Sequence, residues 1–240
     1  MRALIFVFAT LAATTVHADW FGSDCQEFAE RSAVQPAAGV TRVVIIGRAG
    51  FLHIEGRNDV GEIRATGRAC APIEHLLVGI RLSATRSGST VTVEAMVPKQ
   101  DGGLFESSPK LDFTVTLPAG IEIDVADTSG ELIISNVGNA RVTDTSGSID
   151  IRNVTGNLAV RDTSGSIDIA DVSGNVHIPS DSSGSIQIMR VRGSVTIDDD
   201  GSGSVDVSDV GGDFTLRSKG SGSVDYRRIA GRVSIPRHRR

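Results

Sequence analysis

The chain has 240 residues, with 29 acidic and 24 basic side chains and a formal charge of −5. That balance excludes nucleic acid as the main partner, because phosphate recognition needs a clustered basic face. Aromatic residues make up 4% of the chain, too few for stacking platforms that bind sugars or single strands.

The first segment has the features of an export signal. Arg2 supplies the charge, Ala3–Ala13 the short apolar core, and Val16-His17-Ala18 a small-x-small cleavage site. Cleavage after Ala18 predicts a protein that is periplasmic or secreted and begins at Asp19. The apolar run is too short to span a bilayer, and no later stretch is long enough to do so. Cys25 lies beyond the cleavage site, away from the position that lipidation requires. In an oxidising compartment Cys25 and Cys70 read as one disulfide, worth roughly 4 kcal/mol in loop-closure entropy. The alternatives are two free thiols or a metal pair, and two cysteines without clustered histidines make a poor metal site.

Segment 19–39 reads as a cap. Ser23-Asp24-Cys25-Gln26 fits a capping box, which predicts a short helix over Ser23–Ala33, with Phe28 packed over an open end of the β-structure. Region 40–126 holds alternating stretches that predict strands at Val43–Ile46, Phe51–Glu55, Glu62–Thr66, Ile80–Ala84, Val91–Ala95, Leu111–Leu117 and Ile121–Val125. Residues 98–110 break the pattern and read as an exposed loop. The region is either a degenerate part of the repeat that follows or a sandwich-like lead-in to it.

Residues 127–236 are an internal repeat. Asp127-Thr128-Ser129-Gly130 recurs at Asp144, Asp162 and, with changes, at Asp181, Asp200 and Lys219, and its glycines are spaced by 17, 18, 19, 19 and 19 residues. Five apolar positions repeat with it. The ladders run Leu132 to Val224, Ile134 to Tyr226, Val137 to Ile229, Ala140 to Val233 and Val142 to Ile235. A second glycine column runs from Gly138 to Gly231. Each coil thus has two short strands with period-2 alternation and two glycine corners, where a tight turn often requires φ > 0. One coil cannot offset its own ordering entropy, so coils stack, each covering the next. The expected fold is all-β: a six-coil β-solenoid with a repeat of about 19 residues and a rise of ~4.8 Å per coil. The basic tail Arg237–Arg240, after Pro236, would protect the far end, or touch anionic lipid or glycan.

With these strands laid out, the chain resembles a bacterial family of exported β-strand-repeat proteins described as adhesins, related to head domains of the GIN type. The resemblance covers roughly 40–236. It rests on the DTSGSIDI-type repeats, the Leu117-Pro118-Ala119-Gly120 step, and the segments GFLHIEG and VGEIRATGRAC. It implies a β-helical fold and an envelope location, and no established activity.

Two acidic columns stand out. The corner column is Asp127, Asp144, Asp162, Asp181 and Asp200, ending in Lys219; the strand column is Asp150, Asp168, Gln187, Asp206 and Asp225. Stacked like charges invite a cation such as Ca²⁺, and Asp198-Asp199-Asp200 is the best place to look for one. The plainer reading is turn chemistry, in which Asp side chains hold local backbone N–H groups. The period does not match the nine-residue calcium β-roll. No helix follows Gly201-x-Gly203 or Gly220-x-Gly222, so neither is a dinucleotide loop. Ser107-x-x-Lys110 is a chance match to a serine–lysine signature. The histidines at 53, 75, 177 and 238 are scattered, and the outward column Asn136, Asn153, Asp171, Arg190, Asp209, Arg228 mixes signs.

The expectation is a non-catalytic exported envelope protein, a scaffold or adhesin-like surface for an envelope protein or glycan, with no cofactor. The alternatives are a polysaccharide-active enzyme of β-helix type and a calcium-stabilised module.

Overall fold

The computed structural model describes residues 26–98 and 108–236. The export signal, Cys25, Ser107 and the tail 237–240 lie outside them. The strands fall into two ten-stranded sheets that face each other across one apolar core.

In the repeat, each coil gives one strand to each sheet. The first sheet receives β9 (Leu132–Val137), β11 (Ile149–Val154), β13 (Ile167–Val172), β15 (Ile186–Val191), β17 (Val205–Val210) and β19 (Val224–Ile229). The second receives β10 (Ala140–Thr143), β12 (Leu158–Arg161), β14 (Val176–Ser180), β16 (Val195–Ser202), β18 (Phe214–Ser221) and β20 (Val233–Ser234), stacked on β8 (Glu122–Ala126), which precedes the repeat. Neighbours are parallel and almost wholly in register: Ile149 faces Leu132 and Ile167, and Ile151 faces Ile134 and Ile169. The five ladders point inward as the alternation requires. Leu132, Ile151, Val172, Val195 and Leu216 are all at most 2% exposed. A parallel ladder needs a crossover between paired strands, and here the facing sheet provides it.

The two corners work differently. At the first, glycine adopts positive φ, as at Gly165 (φ 134), and a Cβ there would sit 1.6 Å from the Gly147 carbonyl oxygen. At the second, the column Gly138–Gly231 does not adopt positive φ. The left-handed residue is instead the outward one, Asn136, Asn153, Asp171, Arg190, Asp209 or Arg228, with φ from 54 to 62. The second glycines serve close approach between coils: a Cβ on Gly174 would lie 2.5 Å from both the Gly156 oxygen and Asn157 Oδ1.

The region before residue 127 is continuous with both sheets, but its coils stack out of chain order. The strands β2 (Arg42–Ile46) and β3 (Leu52–Arg57) form the coil beneath β8 and β9. On its other side lie β6 (Thr90–Met96), parallel to β2, and β7 (Lys110–Pro118), parallel to β3. The chain between them turns back, so β4 (Glu62–Ala71) pairs antiparallel with β7, and β5 (Arg81–Ser87) antiparallel with β6. A one-turn helix, α1 (Glu74–Gly79), joins β4 to β5 and buries Leu77.

The helix expected over Ser23–Ala33 is not formed in the described part. Residues 27–36 are β1 (Glu27–Pro36), antiparallel to β4 over its whole length. Ala29, Arg31, Ala33 and Gln35 face inward in alternation. Arg31 Nε donates to the Ile80 oxygen at 2.7 Å, an Arg31 Nη to the Leu77 oxygen at 2.9 Å, and Gln35 Nε2 to the Ala84 oxygen at 2.8 Å. A helix of this length is marginal alone, whereas the free edge of β4 satisfies the backbone of β1. Phe28 does not seal the core. It is 42% exposed, with the Arg68 guanidinium 3.9 Å from its ring centroid.

Candidate functional site

The corner aspartates are buried. Asp127, Asp144, Asp162, Asp181 and Asp200 are 1–5% exposed and form a continuous ladder inside the first corner. The ladder begins on a glycine: Gly47 precedes Asp127 in the stack, and a Cβ there would lie 2.3 Å from Asp127 Oδ1. It ends on a cation. Lys219 Nζ lies 2.7 Å from Asp200 Oδ2 and donates to the Gly203 oxygen at 2.8 Å and to the Ser221 oxygen.

The turn-chemistry reading holds for Asp162, whose Oδ1 accepts from the Thr163 N–H at 2.7 Å. The carboxyls of Asp127, Asp144 and Asp181 approach the amides of their own turns, Thr128, Thr145 with Ser146, and Ser182 with Ser183, in less well aligned contacts. Burial pushes the Asp127 carboxyl up to about 7, against the nearby Thr128 amide and with the help of Asp144. Burial likewise takes Asp144 and Asp181 to about 6 and raises Asp162. These environments favour the protonated acid, as desolvation of a carboxylate does generally.

The residues proposed for a cation are held apart. Asp198 contacts His177 Nε2 at 2.8 Å and Arg217 at 2.7 Å, Asp199 points outward, and Asp200 is buried against Lys219. Among the described residues no three ligating side chains are grouped as a metal would need.

On the outside, charges pair from coil to coil. Arg190 makes two bonds to Asp171, at 2.7 and 2.8 Å, and Arg228 repeats the arrangement on Asp209. At the second corner an asparagine ladder, not singled out from the sequence, links coils by side chain to backbone. Asn139 Oδ1 accepts from the Asn157 N–H, Asn157 from Asn175, and Asn175 from Ser194, each at 2.8 Å. Its signal was the residue following each second glycine: Asn139, Asn157 and Asn175.

A groove of about 830 Å³ crosses the outer face of the first sheet near its N-terminal end. Phe51, Arg68, Lys110, Asp112, Glu30 and Glu131 line it. Asp112 Oδ1 accepts from the Phe51 N–H at 2.8 Å, and Lys110 stands 3.7 Å from Asp112. His53 is beside it, 6.3 Å from Phe51 between ring centroids.

No protein-family model matches the sequence, and no curated protein does. Among solved structures the chain is similar to a "putative cell adhesion protein" from Clostridium sporogenes, at 11% identity and a TM-score of 0.47, over 86% of this chain and 100% of that one. It is also similar to a "putative adhesin" from Bacteroides fragilis, at 16% identity and a TM-score of 0.41, over 88% and 99%. A third is a "Putative lipid binding protein" from Parabacteroides distasonis, at 11% identity and a TM-score of 0.26, over 86% and 97%. The repeats pointed to proteins of the first description. Likeness at this level carries no function across.

Proposed function

We propose that the chain is an exported, non-catalytic envelope protein whose elongated outer face binds an envelope protein or glycan, as a scaffold or adhesin does. The observation that carries this reading is the groove lined by Phe51, Arg68, Lys110 and Glu131 on the outer face of the first sheet. It sets the half-buried Phe51 ring among side chains of both charge signs, polar groups that can hydrogen-bond a partner's surface. Of the three acids that line it, Glu30, Asp112 and Glu131, it is Asp112 that is held in place. A general acid must be free to exchange its proton with substrate, whereas Asp112 is engaged by the Phe51 amide and flanked by Lys110.

Export after Ala18 and a Cys25–Cys70 disulfide belong to the same proposal. Cys70 is 4% exposed and lies opposite Phe28 in the β1–β4 register, three residues along from Cys25. Among the described residues no helix is long and apolar enough to cross a membrane.

The test is in-cell cross-linking from a photoreactive residue at Thr114, in the groove, with Thr196 on the opposite sheet as control, together with envelope fractionation. An envelope protein or glycan captured from position 114 alone is expected. Capture of neither, or a cytoplasmic location, overturns the proposal.

A further inference from the structure

The five inward ladders are covered everywhere except on the last coil. Val205, Val207, Val210, Phe214 and Leu216 are 0–2% exposed, yet in the next coil Tyr226 is 47% exposed and Ile235 39%, with Val224, Ile229 and Val233 only half-buried. Tyr226 packs at a tilt against the Phe214 ring, 6.2 Å between centroids. Among the described residues β19 and β20 are also the terminal strands of their sheets, each paired on one side only. An open edge beside uncovered apolar side chains is a template for another strand.

We propose that this end is covered by a second copy of the same chain, joined through β19 in a two-fold, antiparallel pairing centred on Tyr226. The strand is self-complementary in that register alone. Tyr226 meets its counterpart, Asp225 of each copy faces Arg227 of the other, and the two opposite-charge pairs fall on the outward face. Centring the pairing on Asp225 instead would set two like charges directly opposite, which destabilises a sheet. Asp225 and Arg227 are both exposed, and Arg227 has only a loose contact at 3.6 Å with Asp206 of its own chain. A two-fold interface uses the same patch on both copies. The opposite end does not compete on equal terms, since β1 and β5 close it in antiparallel fashion and Arg31 and Gln35 clasp the neighbouring carbonyls.

Sedimentation velocity on the full exported chain, at several concentrations and two ionic strengths, tests this. A dimer is expected for the wild type. Asp225→Arg alone and Arg227→Asp alone each place like charges across the axis twice, and each should weaken association at least tenfold. The double exchange Asp225→Arg/Arg227→Asp should restore it. Circular dichroism melts run alongside confirm that each variant is folded, so loss of the dimer is not loss of the fold. A wild-type monomer at high concentration, as when the chain's own residues 237–240 cover the end, overturns the proposal. So do assemblies that grow beyond the dimer, or single reversals that leave the dimer intact.

Discussion

Lys219 Nζ and Asp200 Oδ2 stand 2.7 Å apart in a pair whose side chains are 4% and 1% exposed. It is the terminus of the aspartate ladder, where a lysine replaces the sixth acid. A buried pair adds little net stability over an apolar replacement, but loss of one partner leaves an uncompensated charge. Lys219→Met should therefore cost about 3–5 kcal/mol, read as a lower urea midpoint with an unchanged m-value. Asp200→Asn/Lys219→Met should recover most of that loss. If the double variant is as unstable as the single, the two residues do not act as a pair.

The ladder also sets a pH dependence. Asp127 at about 7, with Asp144 and Asp181 at about 6, titrate above the ordinary range near 4. Between about pH 4 and 7 the folded chain therefore binds more protons than the unfolded chain, and stability falls as pH rises. This contribution is fully present below the unfolded value and lost as pH passes the folded one. The groups that face these acids are one another, along with Asp162, Asp200 and, beyond it, Lys219. Asp59, Asp171 and Asp209 act oppositely below pH 4, because hydrogen bonds from Arg57, Arg190 and Arg228 lower them. Melting temperature should be higher at pH 5 than at pH 8. Asp127→Asn should raise the pH 8 value and flatten the slope, and a profile rising from pH 5 to pH 8 would show the ladder ionised at no cost.

The left-handed corner gives a sharper contrast. Asn153 has φ 57, and its Nδ2 donates to Asn136 Oδ1 at 3.2 Å. Asparagine and glycine visit this conformation readily, whereas a Cβ-branched residue does not. Asn153→Gly should stay within about 0.5 kcal/mol of wild type, while Asn153→Val should lose about 1–2 kcal/mol. Equal effects of the two in chemical denaturation would mean that the backbone conformation there is not under strain.

The fold was legible because apolar alternation and coil spacing are local signals repeated six times. Each ladder from Leu132 or Val142 onward is inward-facing as read. Two parts were not legible, for different reasons. Residues 27–36 have helix-compatible composition, and only the distant free edge of β4 makes them a strand. The Asp127–Asp200 column read as turn chemistry, which says nothing of how deeply the side chains lie. Its burial depends on corner geometry, with Gly47 beneath and Lys219 above, which spacing does not reveal. The second glycine column was rightly placed at a corner, but its role is proximity between coils rather than positive φ.

The asparagine ladder makes the last prediction, because the chain has already varied it. Asn157 Oδ1 accepts from the Asn175 N–H at 2.8 Å. Two coils on, Ser194 Oγ does the same for the Asp213 N–H at 3.0 Å, and Asp213 Oδ1 for the Arg232 N–H at 2.6 Å. The requirement is a short side-chain acceptor at that corner and not the amide as such. Asn157→Asp and Asn157→Ser should each remain close to wild type. Asn157→Ala leaves the Asn175 N–H without its partner and should cost about 0.5–1.5 kcal/mol. Amide exchange at Asn175 should quicken in the alanine variant and not in the aspartate variant, since the ladder acts coil by coil. Unchanged exchange at Asn175 in Asn157→Ala would show that the stacked backbone alone, with Gly156 and Gly174 in close approach, holds this corner.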